Sequence, residues 1–363
     1  MPSSITGAAP TEYGLLGQLL ANSAAVRQNL TTLTEQASSG LIAQSYAGLG
    51  RGTSISLDLR PHITALQTQQ SNIAAATTRL GVTQAAMTQL QQIAATFLSK
   101  LSILTDLNPS AIDTVAADAQ AALGQTASLL DTRDGNVYVF AGQDTANPPV
   151  PNPDGITSSG FYTQIATAVA NLGVTGAAAT VASTLAVGAS NAAGTSVFSA
   201  YLSQPASALQ APMVQVGQNH IQQVGLFASG NASVASAGSS TTGSYMRDLM
   251  RSLATLGSLR GGQANDPNFA GLIQDTRASL TGAISAMAAD VGVLGDTQAA
   301  LTATQTNLSD TQTSLTAQVD AAENVDMATI LSNLTQAQTQ LQTSYRLIAG
   351  LSTLSLAKYL SGG

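Results

Sequence analysis

From Tyr13 onward, apolar residues recur at alternating three- and four-residue steps. Leu16, Leu19, Val26, Leu30, Leu33 and Ala37 fall on one stripe, with Ser23 in its one remaining place. This is the heptad pattern of a helix packed lengthwise on another helix. Gly40 supplies a stop, and Gly48-Leu49-Gly50-Arg51-Gly52 reads as a loop. A longer stripe then runs through Leu59, Ile63, Leu66, Gln70, Ile73, Thr77, Leu80, Gln84, Met87, Gln91, Ala94, Leu98 and Leu101. As a single helix it would be roughly 65 Å long. Asn108-Pro109 predicts an N-cap with proline at the first helical position, opening a shorter helix through Ile112, Val115, Leu123 and Leu130.

Residues 135–244 change character. No Lys or Arg occurs between Arg133 and Arg247. Asn136–Phe140 alternates and is β-branched or aromatic, which predicts a strand. Further strands are expected near Phe161–Ile165, Met213–Val216 and Gln222–Phe227. The proline-rich run 147–153 predicts an extended loop.

Helical periodicity returns at Tyr245. Asp266-Pro267 predicts another N-cap. A stripe follows through Ile273, Leu280, Ile284, Met287, Val291, Leu294, Gln298, Leu301, Gln305, Leu308, Gln312, Leu315 and Val319. It breaks near Asp320–Asp326 and restarts one residue out of register at Met327, Leu331, Leu334, Gln338, Leu341, Tyr345 and Ile348. Such a slip predicts a bend, a short loop or a change of packing partner. The fold class is therefore mainly α. A long antiparallel heptad-patterned bundle forms from an N-terminal segment (1–134) and a C-terminal segment (245–363). A small β-rich, mixed domain (135–244) is inserted between them.

Composition narrows the function. Only 9% of the 363 residues are charged and 44% are hydrophobic, against about 25% charged in ordinary soluble domains. That suits a surface covered by neighbours. The net charge of −7, with dispersed basic residues, gives no nucleic-acid footprint. No uninterrupted apolar run approaches the ~20 residues that span a bilayer, so no membrane insertion is expected. Residues 1–10 have neither a basic nor an apolar signal region, and no cleaved secretory signal is expected. With no cysteine and only His62 and His220, no metal site or cofactor is expected. Neither a phosphate-binding glycine loop nor a nucleophile elbow occurs, and an enzyme is not expected. The carboxylates Asp320, Glu323 and Asp326 cluster at the register break and read as a solvated loop with helix caps.

Matched glutamines on the two long stripes, above all Gln84 and Gln91 against Gln305 and Gln312, suggest helices built to lie side by side. Either they fix register as buried amides or they sit half-solvated at the seam edge. The C-terminal run Leu347, Ile348, Leu351, Leu354, Leu356, Tyr359 and Leu360 is apolar on more than one face. Such a helix either enters its own core or waits for neighbouring subunits to cover it.

The residues Val325-Asp326-Met327-Ala328, the run Leu334–Tyr345 and the ending Leu354-Ser355-Leu356-Ala357-Lys358-Tyr359-Leu360 resemble the C-terminal region of bacterial flagellins. The ending is most similar to the hook–filament junction type, hook-associated protein 3. Ser39-Gly40-Leu41, Asn72–Leu80 and Asp134–Gly142 resemble the family's N-terminal region, although Ser45-Tyr46-Ala47-Gly48 stands where an acidic pair is usual. The resemblance implies an extracellular flagellar subunit that self-assembles into a helical ring or tube beside a hook-associated protein and flagellin. It further implies a middle domain projecting outward and export without a cleaved signal, with a chaperone on the C-terminal segment. The subunit and bundle contacts expected are Leu30, Leu33, Gln84, Gln91, Gln305, Gln312, Leu331, Leu334, Leu341, Tyr345, Leu356 and Tyr359. A major filament flagellin and a secreted coiled-coil adhesin are the alternatives.

Overall fold

In the computed structural model, the described residues are 11–106, 108–216, 221–231, 238 and 240–360; the side chains of 11–16, 105, 106 and 351–360 lie outside that description. The chain divides into two compact units, one of Met1–Gln67 with Asp310–Gly363, the other of Thr68–Ser309.

The first unit holds helix α1 (Thr11–Ser39) and the start of α2 (Gly52–Lys100). Gly40 ends α1 with φ 72°, a left-handed conformation that only glycine adopts without strain. The unit also contains the end of a 55-residue helix (Phe269–Glu323) and the final helix (Met327–Leu360), named α8 and α9 in chain order below. The expected break falls between these two. There the backbone turns into a short bridge, with Val325 N–H donating to Gly40 O and Ile42 N–H donating to Glu323 O (2.9 and 2.7 Å).

In the second unit α3 (Pro109–Leu130) opens on the expected cap, the Asn108 side chain accepting from Ser110 N–H with Pro109 behind it. Ile112, Val115, Leu123 and Leu130 all face the core. A hairpin of β1 (Arg133–Asp134) and β2 (Val137–Tyr138) follows, turning at Gly135 (φ 59°). The stretch expected to be a strand around Phe161–Ile165 is instead helix α4 (Gly160–Ala170). Phe161, Ile165 and Val169 are its buried residues, a four-residue spacing that β-propensity masked. Helices α5 (Leu172–Thr175) and α6 (Ala177–Ala189) come next. A second antiparallel pair, β3 (Met213–Gln215) with β4 (Ile221–Gln223), follows near the places expected for strands.

Helix α7 (Tyr245–Gly257) is buried at every residue, Arg247 and Arg251 included. Asp266 accepts from Asn268 N–H, so the expected cap closes a turn and α8 begins only at Phe269. By length and composition α8 could cross a membrane. Its apolar residues have another explanation: Leu272, Leu280, Ala283, Met287 and Leu294 lie in the core of this unit.

Candidate functional site

The long helices pack antiparallel. At the start of α2, a side chain on Gly52 would run into Ala322 O of α8 at 2.8 Å, so the backbones approach too closely there for any larger residue. Further along α2, Gln84 lies against Gly295. That register places Gln84 opposite Gly295, ten residues before Gln305 on α8, so these two glutamines are not directly paired. Gln84, Gln91, Gln305 and Gln312 are all half-buried, at the edges of the buried stripe.

The stripe itself is broader than the periodicity predicts. Ile73, Leu80, Met87, Ala94 and Leu101 are buried as expected, but their companions are Ala76, Thr83, Leu90 and Phe97. Thr77, Gln84, Gln91 and Leu98 flank them, half-buried. A helix packed against more than one neighbour needs a face wider than the two columns of a coiled-coil seam.

Beyond the break, α1 packs on α9. Leu19, Ser23, Val26, Leu30, Leu33 and Ala37 of α1 face inward as predicted, while the side chain of Leu16, the first residue of the stripe, lies outside the described residues. On α9 the inward residues are Ile330, Leu334, Ala337, Leu341, Ser344 and Ile348. The predicted α9 stripe therefore splits. Leu334, Leu341 and Ile348 serve the seam with α1. Met327, Leu331 and Tyr345 point to solvent, exposed by 41, 52 and 46%, and Leu347 is exposed as well. Leu331 and Tyr345 are fourteen residues apart, two heptads, so they share one side of the helix. Leu356 and Tyr359 lie in α9, but their side chains are outside the described residues.

The break between α8 and α9 is pinned by a group that periodicity undervalued. Glu323, expected in a solvated loop, is buried at 8% exposure. Arg60 donates to it through Nε (2.9 Å) and Nη2, and Ser56, itself fully buried, donates through its hydroxyl. The one sequence signal was scarcity: an arginine near the start of one rod and an acidic cluster at the end of the other, in a chain with few charges. Asp326 does cap α9 as expected, accepting from Ala328 and Thr329 N–H. His62 is exposed and His220 lies outside the described residues.

Hydrogen bonds from Arg60, then Ser56, hold the Glu323 carboxylate below its ordinary value of 4.5, against an opposing effect of burial. A depressed carboxylate contributes stability above its unfolded value, and that contribution is lost as pH falls through the folded one. Arg60 is half-exposed, and solvent screening holds the expected cost of Glu323→Gln at pH 7 to about 1 kcal/mol. Denaturant titrations of both proteins should show that difference closing in acid. An equal gap at pH 7 and pH 3 would contradict the clamp.

No group of three or more metal-ligating side chains occurs among the described residues. The geometry is that of paired terminal helices with an unused apolar column. The model of the bacterial flagellin N-terminal helical region matches residues 16–145, and that of the bacterial flagellin C-terminal helical region matches residues 278–360. The chain belongs to the bacterial flagellin family. No curated protein matches it. As a flagellin-family chain it is a structural subunit of the flagellum, and the family is structural and non-enzymatic. The terminal helical regions imply self-assembly into a helical polymer, and flagellins are extracellular filament components exported by the flagellar system.

Proposed function

We propose that this flagellin-family chain is the hook–filament junction subunit, polymerising through its paired terminal helices. The outward column Met327, Leu331 and Tyr345 on α9 carries the assembly part of the reading. The described residues leave it exposed, and apolar side chains aligned along one side of a helix stay in water at a cost that a neighbouring subunit removes. Leu30, Leu33, Leu334 and Leu341 are then contacts within the subunit, and Leu331 and Tyr345 contacts between subunits. Leu356 and Tyr359 extend the second set toward the C-terminus, where an export chaperone would bind before assembly. Gln84, Gln91, Gln305 and Gln312 are edge contacts of the bundle.

The junction assignment is supported by the ending Leu354–Leu360, which resembles the junction type more than the filament type. Residues 1–134 and 245–363 would form the polymer, next to a hook-associated protein on one side and flagellin on the other. Deleting the gene should leave hooks without filaments and flagellin shed into the medium. Normal filaments on the mutant would overturn the reading, and a protein making up the bulk of sheared filaments would instead be the filament flagellin.

A further inference from the structure

Sulfur chemistry in this chain is confined to its seven methionines, because cysteine is absent. A thioether becomes a sulfoxide only where the oxidant reaches the sulfur, so exposure decides which methionine reacts. The fold divides them into two groups. Met87, Met246 and Met287 are fully buried and Met250 is 1% exposed, all four in the core of the second unit. Met213 of β3 and Met327 of α9 are 63% and 41% exposed. Met1 lies outside the described residues.

The two exposed methionines differ in their setting. Met213 stands on a two-stranded hairpin, across from Gln223. Met327 opens α9 at one end of the apolar column. Eighteen residues, about five helical turns, separate it from Tyr345, which puts both on one line along the helix. Leu331 is its neighbour one turn on. Asp326 caps the helix start, its carboxylate accepting from Ala328 and Thr329 N–H and from the Thr329 hydroxyl. The Met327 side chain takes no part in that cap, so a change in its chemistry leaves the helix start intact.

We propose that Met327 is a peroxide-sensitive modification site and that its sulfoxide keeps the chain out of the polymer. The proposal rests on the assembly column described above. A sulfur lone pair attacks one oxygen of hydrogen peroxide, and the S–O bond forms as the O–O bond breaks. The departing hydroxide takes the proton from the transferred oxygen and leaves as water. Sulfur loses two electrons and the peroxide gains them. A flexible apolar side chain thereby becomes a polar one. In the single chain the new oxygen meets water at little cost. Under a neighbouring subunit it would be buried without a donor, which weakens the contact by about tenfold or more. Assembly in turn shields the sulfur, so the site is open only before incorporation.

Purified full-length monomer treated with hydrogen peroxide should gain one oxygen at Met213 and at Met327, read by peptide mass spectrometry. Both should react about tenfold faster or more than Met87, Met246, Met250 and Met287, which wait on local opening. Met327 as slow as those four would overturn the proposal. For assembly, monomer is added to hooks isolated from the gene-deletion strain, and the hooks are pelleted. Met213→Leu confines fast oxidation to Met327 among the described methionines. After peroxide this variant should pellet about tenfold less than before, with unchanged circular dichroism. Methionine sulfoxide reductases of both stereospecificities should restore it. Met327→Leu keeps an apolar side chain of similar volume, and it should pellet equally with and without peroxide. Equal pelleting of oxidised and untreated Met213→Leu would overturn the site and leave the assembly column standing. An untreated chain that does not pellet would overturn the assembly reading, and the proposal with it.

Discussion

Replacing Leu331 and Tyr345 together by aspartate is expected to leave a folded monomer that no longer enters the flagellum. Both side chains are about half-exposed in the single chain, so charge there meets water and costs the monomer little. In a polymer whose neighbours cover that column, each subunit would bury two unpaired carboxylates. Each costs several kcal/mol, so the assembly constant should fall by several powers of ten, at about 1.4 kcal/mol per power. Circular dichroism should be unchanged, and the variant should be secreted but missing from sheared flagella. Leu334→Asp is the matching control: three residues away, it faces α1. It should disrupt the α1–α9 seam and lower the helix content of the monomer itself. Normal incorporation of the double variant would refute the assembly column.

The largest stability effect should come from α7. Leu253 is fully buried on a helix with no solvent-facing side. Truncation to alanine leaves a void that its neighbours on every side are too well packed to fill. Leu253→Ala should cost about 2–5 kcal/mol, a large part of the ~5–15 kcal/mol that holds an ordinary domain together. The urea midpoint of the monomer should fall with little change in slope. A shift of under about 1 kcal/mol would mean that α7 is not packed as described.

How much of this was legible in the sequence depends on what each residue's spacing could settle. The α1 stripe from Leu19 to Ala37 was readable, because Leu19, Val26, Leu30 and Leu33 serve one partner and need only two columns. On α2 and α8 every seventh position was readable, including Ile73, Leu80 and Met87 on α2. Their companion column was not: Ala76 and Thr83 are small and mark it weakly, so Leu90 and Phe97 did not stand out as its continuation, whereas Thr77, Gln84 and Gln91 one place on continue the simpler alternation. On α9 the same one-place ambiguity hid a functional distinction. Leu331 and Leu334 look alike in the sequence, yet one is bare and the other covered, and only the path of α1 separates them.

Electrostatic detail was less accessible. Glu323 and Ser56 are 267 residues apart, and nothing local marks them as partners. Arg247 stood out at the end of a long stretch without basic residues, but its burial follows from residues 188–191, Phe198 and Ser229 converging on it. The helix at Phe161–Ile165 was misread because aromatic and β-branched residues favour strands locally, while the core it faces rewards a four-residue repeat.

Immunogold labelling of isolated hook–filament complexes tests the central claim most directly. A junction subunit places label in one narrow zone where hook meets filament, on every complex. Label spread along the filament, or absent from the complexes, would contradict it.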